Sequence, residues 1–196
     1  MNLSGLMDDQ LVAEIKGGSQ AALEALVHRH YDGVYAYCAR LLGNPTAAED
    51  ITQEVFLKLI KSIREYHARG LFRSWLMTIA VNACRSYLTS APVRHGRDAL
   101  DIETLTLEGD VNVQASVERR DEREFVLQCI LSLPQVQREA VLLRFYGDCS
   151  LKEIAAITGS NLSTVKYRLR QANARLKKLL EVNEYGSTEE ARAAGR

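Results

Sequence analysis

The stretch SLKEIAAITGSNLSTVKYRLRQANARLKK, residues 150–178, gathers Lys166, Tyr167, Arg170, Gln171 and Asn173 within about two turns of a helical repeat. The chemistry these side chains share is hydrogen bonding at the end of a long arm. Arg and Lys can pair with the O6 and N7 acceptors of guanine, Gln and Asn with the N6 and N7 of adenine, and surplus cations with phosphates. Such a set recognises nucleic acid and performs no bond-making chemistry of its own.

Two helices must position that set. Ser150 and Glu153 have the spacing of a capping box, and Gly159 is the expected stop of the first helix. Within it Leu151, Ile154, Ala155 and Ile157 face inward, with Ala155 small enough for a close helix crossing. GSN turns the chain, and Ser163 or a neighbour caps the second helix. There Val165, Leu169, Ala172 and Leu176 recur at i, i+4, i+7 and i+11, which leaves the polar set on the outside. Short helix, glycine turn and cationic second helix form the helix-turn-helix pattern, whose second helix enters the major groove. The plainer alternative is an αα-hairpin with a solvated basic face.

The whole chain is neutral, with 25 Lys/Arg against 25 Asp/Glu over 196 residues, but the charge is segregated. Residues 1–97 carry eleven basic and nine acidic side chains, 98–124 three and nine, 125–182 nine and four, and the remainder two and three. A basic face held beside an acidic segment suits a nucleic-acid partner. No apolar run reaches the roughly 18 residues of a membrane span, and MNLSGLMDDQLVAEIKGG has no secretion-signal pattern. Membrane insertion is therefore not expected, and the location expected is the cytoplasm. The four cysteines, Cys38, Cys84, Cys129 and Cys149, form no CxxC pair and read as small buried hydrophobes. His28 and His30 lie two apart, a poor chelating geometry on a helix. With no nucleophile motif or phosphate loop either, no catalytic residue, metal, cofactor or small-molecule substrate is expected, and the chain is not read as an enzyme.

Nearly everything outside 90–116 has helical period and no strand pattern occurs. Ser19 caps a helix with Leu23, Leu26, Val27, Tyr31, Val34, Tyr35 and Cys38 on one stripe, stopped by Gly43-Asn44-Pro45. Thr46 and Glu49 have capping-box spacing before a helix that buries Ile51, Val55, Leu59 and Ile63. A polar break, REYHARG, precedes LFRSWLMTIAVNACRSYL. A helix resumes near Val117, and Pro134 opens another that ends at Gly147. The expected fold is all-α: two small helical domains joined by an acidic flexible linker, the second a helix-turn-helix. The expected boundaries are 1–90, a linker over 91–116, 117–182 and a tail over 183–196.

On the first domain, Asp50, Gln53, Glu54 and Leu57 share a stripe that is either simply solvated or, with Phe56 and Lys58 beside it, a protein-binding surface. Phe72, Trp75 and Asn82 keep company with Arg73 and Arg85. Such aromatics either fill a core or stack on single-stranded bases.

AEDITQEVF, FRSWLMTIAVN and LPQVQREAVLLRFYGDCSLKEIAAITGSNLSTVKYRL, in that order, resemble the extracytoplasmic-function (group 4) sigma factors of bacterial RNA polymerase, a branch of the sigma-70 family. The resemblance runs from about residue 8 to 182. It implies a sigma factor that binds the clamp and flap regions of core polymerase and directs promoter-specific initiation. It assigns polymerase docking to Asp50, Gln53, Glu54, Phe56 and Leu57. Reading and melting of the promoter −10 element fall to Tyr66, Phe72, Arg73, Trp75, Asn82 and Arg85. Reading of the −35 element falls to Ser163, Thr164, Lys166, Tyr167, Arg168, Arg170, Gln171, Asn173 and Arg175. An anti-sigma factor is a further implied partner. The chain departs from the family where Asn161 and Ser163 stand at positions that often hold Pro and Gly, and where only TSAPVRHGR follows the helix that carries IAVN, in place of a dense basic run.

A helix-turn-helix regulator binding an operator without polymerase is the main rival, and a helical adaptor that never reads DNA is another. The expected linker, 26 residues over 91–116, reaches roughly 85–95 Å fully extended but averages about 25–30 Å as a coil. A −35 to −10 separation of about 25 base pairs is on the order of 85 Å. A scaffold must hold such a linker stretched, and polymerase would be that scaffold.

Overall fold

The computed structural model describes residues 3–67, 70–90 and 123–194, with the side chains of 182–194 excepted. The expected linker and the helix start near Val117 lie outside the described residues. Among the described residues there is no strand. A 3-10 turn at Leu3–Gly5 leads into α1 (Asp8–Lys16), α2 (Gln20–Leu42), α3 (Pro45–Ser62) and α4 (Phe72–Ser90). The second domain holds α5 (helical over 123–131), α6 (Gln135–Phe145), α7 (Leu151–Thr158) and α8 (Leu162–Ala194), whose backbone runs through most of the expected tail. No helix among the described residues is long and apolar enough to cross a membrane.

The local stops and starts have local causes. Ser19 Oγ accepts from the Ala22 amide at 3.3 Å and opens α2, and Gly43 closes it in the left-handed region at φ 67. The cap of α3 is Asn44, whose Oδ1 accepts from Ala47 N at 2.9 Å with Pro45 in the first turn. This corrects the expected Thr46–Glu49 box: proline's fixed φ starts the helix before Thr46 can act as its cap. Likewise Pro134 stands at the cap position of α6, which begins at Gln135 and ends at Phe145, before Gly147.

In the first domain Leu26, Val34 and Cys38 of α2 pack against Ile51, Val55, Leu59 and Ile63 beside α3, and Leu76, Ala80 and Val81 of α4 complete the core. The second domain buries Leu142, Leu143, Ile154, Ile157 and Val165, with Leu133, Val141 and Ala172 forming a smaller cluster. The two domains share one core. Toward its C-terminal end α2 also buries Tyr37, Ala39 and Leu41, and α6 of the second domain packs on this helix. Arg138 of α6 donates to the Leu41 carbonyl at 2.9 Å, and the Arg40 guanidinium lies 4.2 Å over the Tyr146 ring.

All four cysteines are buried and free. The Cys38 and Cys84 sulfurs are 3.6 Å apart, so the hydrogen bond from Cys84 lowers the Cys38 thiol. Burial pushes Cys149 up to about 11, far from a reactive thiolate.

Two glycines test the packing with opposite signs. A Cβ on Gly147 would meet the Leu143 carbonyl oxygen at 2.7 Å, whereas one on Gly33, inside α2, would meet nothing within 4 Å. Gly147→Ala should destabilise the chain by about 1–3 kcal/mol through overpacking. Gly33→Ala should stabilise it by roughly 0.5–1 kcal/mol through backbone entropy. Urea unfolding of both variants beside the wild type measures the two shifts, and equal shifts would contradict the packing.

Candidate nucleic-acid interface

The helix-turn-helix is built from two matched caps. Ser150 Oγ accepts from Glu153 N at 3.3 Å while the Glu153 carboxylate accepts from Ser150 N at 2.8 Å, so two orphan donors of α7 are satisfied reciprocally. Gly159 ends α7 at φ 65, a conformation that costs a side chain and frees glycine. The cap of α8 is Asn161: its Oδ1 accepts from Thr164 N and from the Ser163 hydroxyl, each at 2.7 Å. Asn161 thus caps α8 through its own side chain. Sequence spacing allows the cap at Ser163 or a neighbour, and the structure puts it on Asn161.

Beyond the cap, α8 buries Val165 and Ala172 and half-buries Leu169 and Leu176 against α6 and α7. The opposite side is open. Lys166, Arg170, Asn173 and Arg175 are exposed, as is Tyr167 at 60 %. Thr164 and Gln171 flank them half-buried. Arg168, also half-buried, donates to Ser160 Oγ at 2.8 Å, so it braces the turn as well as bordering the open face. Further along, Lys177 pairs with Glu181 at 3.6 Å, a turn beyond the region where a recognition helix meets base edges.

The second surface lies on α3. Asp50 and Gln53 are exposed, Glu54 is half-buried and bonded to Lys58 at 2.5 Å, and Leu57 is 57 % exposed. Phe56, expected on the same surface, is buried and stacks on Tyr31 at 5.7 Å between ring centroids, so it supports the stripe from beneath. Ile60, half-exposed at 45 %, extends the apolar part of the same surface beside Leu23, Val27 and Tyr31 of α2. It was missed from sequence, although its i+3 spacing from Leu57 off the core stripe was the available signal.

The third surface is α4 with the loop before it. Asp9 of α1 pins that loop, accepting from Tyr66 Oη at 2.9 Å and from Gly70 N at 2.7 Å, while Lys16 Nζ donates to the Tyr66 carbonyl at 2.6 Å. Tyr66 and Phe72 are buried, with ring centroids 5.5 Å apart and an edge-to-face arrangement, and Trp75 packs half-buried at 4.9 Å from Tyr66. Tyr66 and Phe72, expected at the −10 element, face the core in this structure. Three apolar rings gain more by packing on one another than by facing water. Arg73 and Asn82 remain exposed. Arg85, on the same side of α4 as Asn82 and three residues on, is held by Glu139 of α6 through two bonds of 3.0 and 2.6 Å, which raises the guanidinium above its ordinary pKa. Three surfaces therefore stand on a common frame: one polar and apolar, two cationic.

Comparison with known proteins follows the same division. The family description Sigma-70 region 2 matches residues 26–92, and Sigma-70, region 4 matches residues 124–176. The chain is 32% identical over 169 residues to the RNA polymerase sigma factor CarQ of Myxococcus xanthus, covering 84% of this chain and 92% of that protein. It is 29% identical over 183 residues to the ECF RNA polymerase sigma factor SigW of Bacillus subtilis, covering 89% and 97%. In fold it is similar to CnrH in complex with the cytosolic domain of CnrY, with a TM-score of 0.64 and 24% identity over 89% of this chain and 97% of that one. It is also similar in fold to the sigma factor RpoE bound to the anti-sigma factor NepR from Bartonella quintana, with a TM-score of 0.60 and 23% identity over 80% and 94%.

Proposed function

We infer the function from one premise: the chain belongs to the sigma-70 family, among its extracytoplasmic-function sigma factors. The protein binds core RNA polymerase and directs initiation at particular promoters. Polymerase performs the chemistry, and this chain supplies the choice of site. It acts where polymerase acts, in the cytoplasm, and an anti-sigma factor is its proposed restraint.

The observation that carries the finer reading is the outer face of α8. Lys166 and Arg170 are exposed one turn apart near the capped N-terminus, while Val165 and Ala172 fix the opposite side. A helix so anchored can enter a major groove N-terminus first, with the helix dipole favouring nearby phosphates. The proposed reader of the −35 element is therefore α8, with Lys166, Tyr167, Arg170, Gln171 and Asn173 toward bases. Ser163, Thr164, Arg168 and Arg175 lie toward the backbone. The proposed polymerase surface is Asp50, Gln53, Glu54, Leu57 and Ile60. The proposed readers of the −10 element are the exposed Arg73 and Asn82 with the half-buried Trp75 and Arg85. The working division is 1–90 for docking and −10 reading, 91–116 for the linker and 117–182 for −35 reading. The rival operator-binding regulator has no observation in its favour.

Docking is tested by Asp50→Ala combined with Gln53→Ala. Both side chains are exposed, so the fold should persist while the variant competes poorly against wild type for core polymerase. Undiminished competition would remove α3 from the docking role.

Helix α8 is tested by transcribing a promoter library with Arg170→Ala and, separately, with Lys177→Ala. Loss of a bidentate base contact should cost about 1–3 kcal/mol and relax preference at one −35 position. Loss of a phosphate contact should weaken all sequences alike and flatten the salt slope by about one unit. An unchanged −35 preference for the Arg170 variant, or a specific change for the Lys177 variant, would reverse the proposed orientation.

A further inference from the structure

Helix α1 carries none of the three strings on which the family resemblance rests, yet it holds the approach to α4. Asp9 and Lys16 stand seven residues apart, about two turns along one face. Both reach Tyr66. Its hydroxyl donates to Asp9 Oδ1 at 2.9 Å, and its carbonyl accepts from Lys16 Nζ at 2.6 Å. The other Asp9 oxygen, Oδ2, accepts from the Gly70 amide at 2.7 Å. One carboxylate thus ties together two points of the REYHARG break, four residues apart in the chain. Gly70 sits at φ 67, a conformation that residues with a side chain rarely take, and this fixes where its amide points.

The rest of α1 does a different job. Leu11 and Val12 are buried in the core, and Asp8 bonds to Arg29 and His30 of α2. Those contacts fasten the helix to its own domain. Asp9 is half-buried, and a hydrogen bond at such a site adds little net stability. What its charge-assisted bonds do fix is direction. They set the place of the Tyr66 ring, and that ring packs against Trp75 at 4.9 Å and against Phe72, which opens α4, at 5.5 Å.

We propose that Asp9 is a positioning residue for −10 reading: its carboxylate holds Tyr66 and Gly70 so that Trp75 and Arg73, at the start of α4, meet the separated strand in a single arrangement. Asp9 itself touches no base, and Lys16 is the second anchor of the same clamp. Bases of a single strand are held by a stacking ring and nearby donors, so discrimination depends on placing both together. On charge alone an acid beside phosphates repels them, and its removal would tighten general grip. Positioning predicts a different result, a looser choice of base. This inference rests on the proposed −10 role of α4.

The test uses the full chain with core polymerase and a promoter library randomised across the −10 element. Asp9→Ala should lower preference at the most selective −10 position about fivefold, the low end of what a lost direct base contact costs, and leave the −35 preference unchanged. Asp9→Asn, which keeps one side-chain acceptor, should fall between Asp9→Ala and wild type. Tyr66→Phe removes only the hydroxyl and should relax the same position, and joining it to Asp9→Ala should add less than about twofold, because the two share a bond. Val12→Ala loosens α1 through packing alone, so it should lower the melting temperature at least as much as Asp9→Ala and keep the wild-type −10 preference. A wild-type −10 preference in Asp9→Ala would overturn the positioning role. Equal relaxation in Val12→Ala would overturn it too, reducing α1 to a support. The −10 assignment of α4 is tested apart by Asn82→Ala, exposed on that helix. If that variant keeps both the −10 preference and the permanganate-reactive bubble of wild type, the assignment falls and the role of Asp9 falls with it.

Discussion

An amphipathic helix packed on one neighbour has one stripe to bury, and the opposite stripe is left for water or a partner. The surfaces proposed here are what that constraint leaves over. On α3, burying Ile51, Val55 and Leu59 turns Asp50, Gln53 and Leu57 outward. On α8, burying Val165 and Ala172 turns Lys166 and Arg170 outward, and Asn161 sets where that alternation begins. Losing the core stripe would rotate the functional stripe with it, so packing and recognition are one property of each helix. Helix α2 holds the molecule together, because it packs on α1, α3 and α4 of its own domain and on α6 of the other.

Electrostatics then decides which surfaces are available. A chain of zero net charge has no general attraction for DNA, so any affinity must come from local placement. Among the described residues no acid pairs with the α8 cations ahead of Lys177, whereas those of α4 are each matched by an acid of the second domain. The same residue type therefore has two roles set by its neighbours. An exposed Arg170 is ready for a base or phosphate, whereas the half-buried Arg85 is already forked onto the buried Glu139.

The helices and their order were legible from sequence because apolar periodicity, Ser19, the Ser150–Glu153 box and Gly159 all act within a few residues of where they stand. The start of α3 was misread because two local signals compete there, and Pro45 with Asn44 precedes Thr46 with Glu49. The orientation of Phe56, Tyr66 and Phe72 was not legible. An aromatic beside a polar stripe faces in or out according to neighbours such as Tyr31 and Asp9 that are distant in the chain. The pairing of Arg85 with Glu139, 54 residues apart, lies further still from anything periodicity can express. The motifs that carry the family resemblance were legible as strings, but which of their residues are exposed was not.

The central claim is that this chain directs core RNA polymerase to promoters, and reconstituted run-off transcription tests it most directly. Purified chain, core polymerase and genomic fragments should together yield discrete transcripts with defined start sites, while core polymerase alone, or the chain alone, yields none. Upstream of those starts the account predicts two shared sequence elements separated by a constant distance. Tight, sequence-specific binding of the chain alone to single sites, with no transcripts when core polymerase is added, would contradict the account.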